Sequence, residues 1–288
     1  MANYARKVAE NIDGLFFVDD TCIDCDTCRE LAPETFADVG SYSSVYRQPV
    51  TSEETLRASR ALISCPTGSI GTTEKIDLIP AFDSLPLELE ENIYYNGYAS
   101  PDSFGASSYF IRHPEGNWLV DSPKYQVKLV KKFEEWGGIK YIFLSHQDDV
   151  ADAHRYAKHF SATRIIHRAD QRAEPDAEML IDGEDPVAIT SDHLIIPVPG
   201  HTRGSCVLLY KDILFTGDHL WWSRNRKTLG AGRSVCWYDW GEQTRSMKKL
   251  LAYDFRRVLP GHGERVELAA DEMKAHLEKL VSWMQARG

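Results

Sequence analysis

Four cysteines constrain this chain more than any other feature in it. Cys22, Cys25 and Cys28 are separated by two residues each, and Cys65 follows after 36 intervening residues, directly before Pro66. Three thiolates at that spacing can wrap one corner of a cube. A remote fourth closes it, and the proline turns the chain away, which is the ligand pattern of a [4Fe–4S] cluster. The alternatives are a zinc site, which usually draws on two separated CxxC pairs, and unrelated thiols. The spacing with the remote Cys-Pro favours the cluster. Cys206 and Cys236 stand alone and read as small buried hydrophobes. Six cysteines in 288 residues is not the density of a disulfide scaffold.

The length suits two domains. With 43% hydrophobic and 26% charged residues the chain is neither disordered nor a coiled-coil rod. No apolar run reaches the roughly 18 residues of a transmembrane helix. The first twenty residues carry acids and lack the apolar core of a signal peptide, so the cytoplasm is the expected compartment. Residues 1–80 hold 13 Asp+Glu against 7 Lys+Arg, within a net charge of −10. An acidic surface repels a phosphate backbone, which speaks against nucleic acid; it suits a basic redox partner protein, and the bland reading is a solvated acidic face.

The texture changes after Lys75. A boundary near residues 74–82 gives two domains, 1–78 and 79–288. In the first, 51–62 reads as a helix capped by Thr51 or Ser52. In the second, strand-like runs fall at 107–112, 117–121, 140–144, 163–167, 193–198, 205–210, 212–216 and 256–259. Helix-like runs fall at 125–137, 151–160, 242–252 and 267–285. Strands with interleaved helices imply a layered α/β domain. Several strands run into metal-capable side chains: His146, Asp148, Asp149, Asp152 and His154 after one, then His201, Asp218 and His262 after three others. Imidazoles and carboxylates gathered at strand ends can converge on one edge and build a dinuclear site. The bland reading of Asp148, Asp149 and Asp152 is that they cap the helix starting near Ala151. His113, His159, His167, His193 and His276 have no supporting motif. The stretch from His219 to Trp240, rich in Trp and Arg, fits either a substrate pocket or a packed cluster.

Two family resemblances rest on these residues. The four cysteines with Ala32-Pro33, Phe36 and Pro66 make residues 14–72 similar to the single-cluster bacterial ferredoxins. The resemblance implies one [4Fe–4S] cluster on Cys22, Cys25, Cys28 and Cys65, acting as a low-potential one-electron carrier. Residues 85–265 resemble the metallo-β-lactamase superfamily through GASSYFI, Leu119-Val120-Asp121, LSH at 144–146, GHTRGS at 200–205, FTGD at 215–218 and LPGHG at 259–263. The implied fold is a ferredoxin-like α+β domain followed by an αβ/βα sandwich. His201 would then serve a first metal, Asp218 would bridge, and His262 would serve a second. His146 matches the first position of the family's HxHxDH motif. Asp148 stands where its second His belongs, and Asp152 and His154 are the nearest substitutes for its Asp-His pair, with Asp149 competing. A flavodiiron-type member of the superfamily makes a similar carboxylate swap and holds iron.

The implied function is metal-dependent hydrolysis of a small-molecule substrate, with an unligated acid among Asp148, Asp149 and Asp152 moving the proton. One or two divalent ions, zinc or iron, would do this work. Two further readings stay open. The cluster could feed electrons to an iron site that does redox chemistry, or a degenerate sandwich could serve as a redox-sensing binding module.

Overall fold

In the computed structural model, which describes residues 2–288, the chain divides into a first unit ending at Ile139 and a second spanning Lys140–Gly288. The first unit begins with short elements: β1 (Phe16–Val18), α1 (Thr27–Leu31), β2 (Phe36–Asp38), β3 (Ser43–Val45), α2 (Ser52–Ser64) and β4 (Ile70–Thr72). β1 pairs antiparallel with β4, and β2 with β3. α2 starts as the sequence suggests. Thr51 Oγ1 accepts from the Glu54 backbone N–H while the Glu54 carboxylate accepts from that of Thr51, a reciprocal cap. The helix buries Ala58 and Ala61 and delivers Cys65 at its end.

Asn11 holds these pieces in register. Its Nδ2 donates to the carbonyls of Val8 (2.7 Å) and Val18 (2.8 Å). Its Oδ1 accepts from the N–H groups of Val18 (3.0 Å) and Val45 (2.9 Å). One buried amide thus joins β1 to β3. The unit continues through α3 (Ile79–Asp83) into an antiparallel sheet of β5 (Leu87–Glu90), β6 (Ile93–Tyr95), β7 (Tyr109–Ile111) and β8 (Trp118–Val120), followed by α4 (Val127–Glu135). Phe110 stacks on Phe133 of α4 at 4.3 Å.

The second unit opens with β9 (Tyr141–Phe143), α5 (Ala153–Phe160), β10 (Thr163–His167) and β11 (Met179–Ile181), whose strands run parallel. A second sheet has the order β12 (Val187–Ala188), β13 (His193–Pro197), β14 (Cys206–Tyr210), β15 (Ile213–Gly217), β18 (Arg257–Pro260) and β19 (Val266–Glu267). All its pairings are antiparallel except β15 with β18. Between them in sequence lie a small hairpin, β16 (Trp221–Ser223) with β17 (Thr228–Gly230), and α6 (Trp240–Lys249). The last helix, α7 (Ala270–Gln285), buries Met273, Leu277, Leu280, Val281 and Met284, the face read from its spacing. That face shares a core with Ile196, Val207, Leu214 and Val258 of the sheet. Among the described residues no helix is long and apolar enough to cross a membrane.

Asn11→Ala removes the side-chain end of four buried hydrogen bonds and takes the acceptor from the backbone N–H groups of Val18 and Val45. The expected cost is about 3 kcal/mol, read as a lowered urea midpoint. An unchanged midpoint would show that the amide does not tie β1 to β3.

Candidate metal centres

The four cysteines come together in the first unit, around a small pocket walled by Val18, Ile23, Pro66 and Ile70. Their loop turns through two non-glycine residues in the left-handed region, Asp24 (φ 57°) and Asp26 (φ 71°). Arg29, almost fully buried, holds both turns: its guanidinium pairs with Asp24 (2.6 Å) and with Asp26, and donates to Ser43 Oγ (2.9 Å). Backbone N–H groups face the sulfurs, from Ser43 and Asp24 to Cys22 Sγ (3.4 and 3.5 Å) and from Ser69 to Cys65 Sγ (3.3 Å). Part of the wall comes from beyond residue 78. Thr27 Oγ1 donates to the Gly105 carbonyl, and a Cβ at Gly105 would stand 2.6 Å from that of Cys25. Burial pushes the Cys25 thiol up to about 11 and Cys28 higher still. Bare thiolates are therefore unfavourable there, while metal-bound ones with N–H donors aimed at them are not. The donor set and its surroundings fit an iron–sulfur cluster.

The second constellation lies wholly in the second unit, at the C-terminal ends of four strands. β9 leads into His146, β13 into His201, β15 into Asp218 and β18 into His262. The parallel register places Gly217 opposite Pro260, and the Gly261 N–H donates to the Gly217 carbonyl (2.8 Å), so Asp218 and His262 emerge side by side. His262 Nδ1 donates to Asp218 at 2.8 Å. The buried rings of His146 and His201 meet edge to face at 4.7 Å. Asp218 Oδ2 lies 3.7 Å from His146 Nε2 and 3.8 Å from His201 Nε2. Asp148 Oδ2 lies 3.9 Å and 3.4 Å from the same two atoms. Two groups of metal-capable atoms share Asp218: His146, His201 and Asp218 form one, and Asp149, Asp218 and His262 the other.

Several observations fit cations at these groups. The Nε2 atoms of His146 and His201 are buried and have no hydrogen-bond partner. His146 Nδ1 is engaged by Ser145 Oγ at 2.9 Å, which leaves Nε2 facing inward. A Cβ at Gly261 would stand 2.7 Å from Asp149 Oδ2 and 2.8 Å from Asp218 Oδ1, so the bare glycine lets the two carboxylates approach. Gly217 likewise makes room for Ser145. Burial lowers His146 to about 4 despite the nearby carboxylates, so its imidazole is neutral at pH 7. Burial opposes ionisation of Asp218, but the imidazoles of His262, His146 and His201 outweigh it and hold the carboxyl below its usual range. His201 does the same for Asp148.

The structure does not bring Asp152 or His154 to this cluster, which corrects the expectation that they complete it. Ala151 takes a positive φ (35°), and the chain turns so that Asp152 becomes the residue before α5, 3.5 Å from Arg155. His154 lies exposed on α5. Asp149, only three residues after His146, reaches the second group instead. One residue escaped sequence reasoning. Buried Asp170 accepts from the Gln147 N–H (3.0 Å), the Gly204 N–H (2.9 Å) and the Thr202 hydroxyl, and so joins the loops of His146 and His201. It sits in a stretch without periodicity, and only the close approach at Gly204, where a Cβ would stand 2.6 Å from its carboxyl carbon, leaves a trace in the GHTRGS motif. Most of the Trp- and Arg-rich stretch packs rather than opening a pocket. Trp221 lies against Gly263, Arg224 pairs with Glu264 (2.8 Å), and Arg226 stands over Trp283. Trp237 and Tyr238 stay open, 63% and 48% exposed, and the Trp237 ring lies 6.2 Å from that of His201.

His201→Ala should strip metal from this site and leave the visible absorption of the cluster intact, while Cys25→Ser should do the reverse. Metal analysis with absorption spectra checks both, and joint loss of the two centres in either variant would show that they are not independent. In metal-free protein His146 binds its proton only near pH 4, against about 6.5 when unfolded. Between those values the unfolded chain holds more protons, so stability falls as the pH drops through that window, by about 1.4 kcal/mol per unit. Urea midpoints measured from pH 7 to 4 test this; a flat profile contradicts it.

Residues 18–72 match the model of the 4Fe-4S single cluster domain of Ferredoxin I, and residues 102–262, more than half of the chain, match that of the metallo-β-lactamase superfamily. No curated protein sequence gives a significant match. Among solved structures, the metallo-β-lactamase FIM-1 from Pseudomonas aeruginosa in its mono-zinc form is 16% identical with a TM-score of 0.54, over 68% of this chain and 93% of that one. A metallo-β-lactamase from Hirschia baltica is 15% identical with a TM-score of 0.51, over 68% and 96%. These likenesses concern the fold. With the ligand motifs in their expected order at the strand ends, this chain belongs to the metallo-β-lactamase superfamily and carries a single-cluster [4Fe–4S] ferredoxin domain ahead of that fold.

Proposed function

We propose that the chain is a redox metalloenzyme. Its cysteine region holds a one-electron [4Fe–4S] centre, and its second site holds iron and oxidises or reduces a small molecule. The observation that carries this reading is the donor set: three imidazoles, His146, His201 and His262, against three carboxylates, Asp148, Asp149 and Asp218. Two histidines and a carboxylate with open positions suit non-haem iron, and added oxygen donors move preference further from zinc. The electron carrier in the same chain supports the reading, since hydrolysis needs no electron.

When bound, the ions would supply Lewis acidity and one-electron chemistry. The chain's own residues do the rest. His146 and His201 offer neutral imidazoles, and Ser145 fixes the orientation of the first. Asp218, common to both groups of metal-capable atoms, would serve either ion, and Asp149 with His262 would hold the second. Asp148 is the carboxylate most open to solvent, with its side chain 42% exposed, and is positioned to hold or move a proton at the mouth. Trp237 offers an apolar wall beside His201. The acidic first 80 residues suit a basic protein as electron partner, and reduced thiols suit the cytoplasm.

Asp148 also favours a second reading. If it stays unligated, it can serve as general base for hydrolysis at zinc. Metal analysis with Mössbauer spectroscopy on protein prepared without air separates the two. Six irons per chain, two of them outside the cluster, is the expected result. Four irons with zinc would favour hydrolysis. Four irons and no other metal would point to a binding module.

A further inference from the structure

A file of hydroxyl groups runs from Cys65 to a buried carboxylate. Thr67 Oγ1 lies 3.7 Å from Cys65 Sγ. It lies 2.6 Å from Ser69 Oγ, which lies 2.7 Å from Thr21 Oγ1. Thr21 Oγ1 donates to Asp19 Oδ1. Asp19 is 2% exposed and also accepts the N–H groups of Asn3 (2.8 Å) and Thr21 (3.0 Å).

The proton count fixes the direction of this file. Three hydroxyls own three protons, and there are three O···O contacts to fill. A carboxylate only accepts, so Thr21 must donate to Asp19. Thr21 is then an acceptor toward Ser69, and Ser69 an acceptor toward Thr67. No hydroxyl proton remains for Cys65. Reversing any link would set two oxygen lone pairs face to face within 2.7 Å. We propose that Asp19 polarises this hydroxyl chain so that Thr67 turns a lone pair toward Cys65 Sγ, and that the missing donor holds the cluster at a more reducing potential.

The physical reason is charge. Reduction adds an electron to an assembly whose sulfurs are already anionic, and donors at sulfur ease that change. At Cys65 the backbone N–H of Ser69 is such a donor, while the nearest hydroxyl is withheld. The inference rests on the reading that the four cysteines hold the cluster.

The test is the midpoint potential of the full-length protein, by potentiometric titration without air. Thr21→Val removes the acceptor that commits Ser69. Ser69 can then donate to Thr67, and Thr67 to Cys65. The reduction equilibrium should shift toward the reduced form by on the order of tenfold, about 59 mV for one electron. Ser69→Ala frees the Thr67 proton directly and should shift it the same way. Thr21→Ser keeps the chain and should shift nothing. Made in a Thr67→Val background, Thr21→Val should also shift nothing, because the hydroxyl that would donate is gone. Resonance Raman spectra of Thr21→Val should show one Fe–S(Cys) stretch lowered. An unmoved potential in both Thr21→Val and Ser69→Ala overturns the proposal, as does a shift that persists without the Thr67 hydroxyl. Acid-labile sulfide, measured on wild type and each variant, keeps this separate from a failure of the cluster assignment: four sulfides per chain with the wrong potentials refute the hydroxyl chain alone, whereas wild type without sulfide refutes both.

Discussion

Asp149 and Asp218 are two carboxylates brought together over the bare backbone of Gly261, one of them almost wholly out of water. Burying acids in this way is costly unless positive charge is close. The side chains around them are imidazoles, and burial lowers His146 so far that it is neutral at physiological pH. His262 donates a hydrogen bond to Asp218, yet two acids and a further carboxylate at Asp148 face only three histidines. The arrangement is therefore one whose charge is completed by cations. The strand ends, the glycines and the Asp170 junction all serve to hold that arrangement.

The cysteine region solves a similar problem by other means. Its anions are sulfurs, and the groups aimed at them are backbone N–H donors from Asp24, Ser43 and Ser69. Three of its ligands come from one seven-residue loop, held locally by the Arg29 clamp on two left-handed aspartates. The other site draws its metal-capable side chains from four strand ends between His146 and His262, so it exists only when both sheets of its unit are in place. Local geometry makes one centre, and long-range topology the other.

That difference decides what could be read from sequence. Ligand spacing in a loop is a local property, and the four cysteines with Pro66 are legible at once. The strand 163–167 and the apolar face of α7 are also local periodicities, and both stand where the pattern puts them. Three-residue strands are legible where they sit inside a longer apolar run, as β7, β8 and β9 do, whereas β1 and β2, set among loop residues, pass unseen. At the second site the GHTRGS, FTGD and LPGHG motifs identify His201, Asp218 and His262 because each is tied to a turn. The first motif is harder. Matching by sequence offset suggests Asp152 and His154, but offset counts residues, whereas ligation depends on where the backbone turns. The positive φ at Ala151 comes before those two residues, and it directs them to the start of α5.

Asp149 shows what that turn achieves. It follows Asp148 directly, yet the two belong to different sides of the site, Asp148 near His146 and His201 and Asp149 with Asp218 and His262. A short 3₁₀ turn over Gln147–Asp149 makes this possible, because it sends neighbouring side chains in different directions. Two adjacent acids can then do what the family's longer motif spreads over more residues. The exchange has a chemical consequence. Each imidazole replaced by a carboxylate adds negative charge and a harder donor, which stabilises a higher oxidation state of a bound metal relative to a lower one. In a chain that also carries a [4Fe–4S] ferredoxin domain, that is the direction the proposed redox function requires.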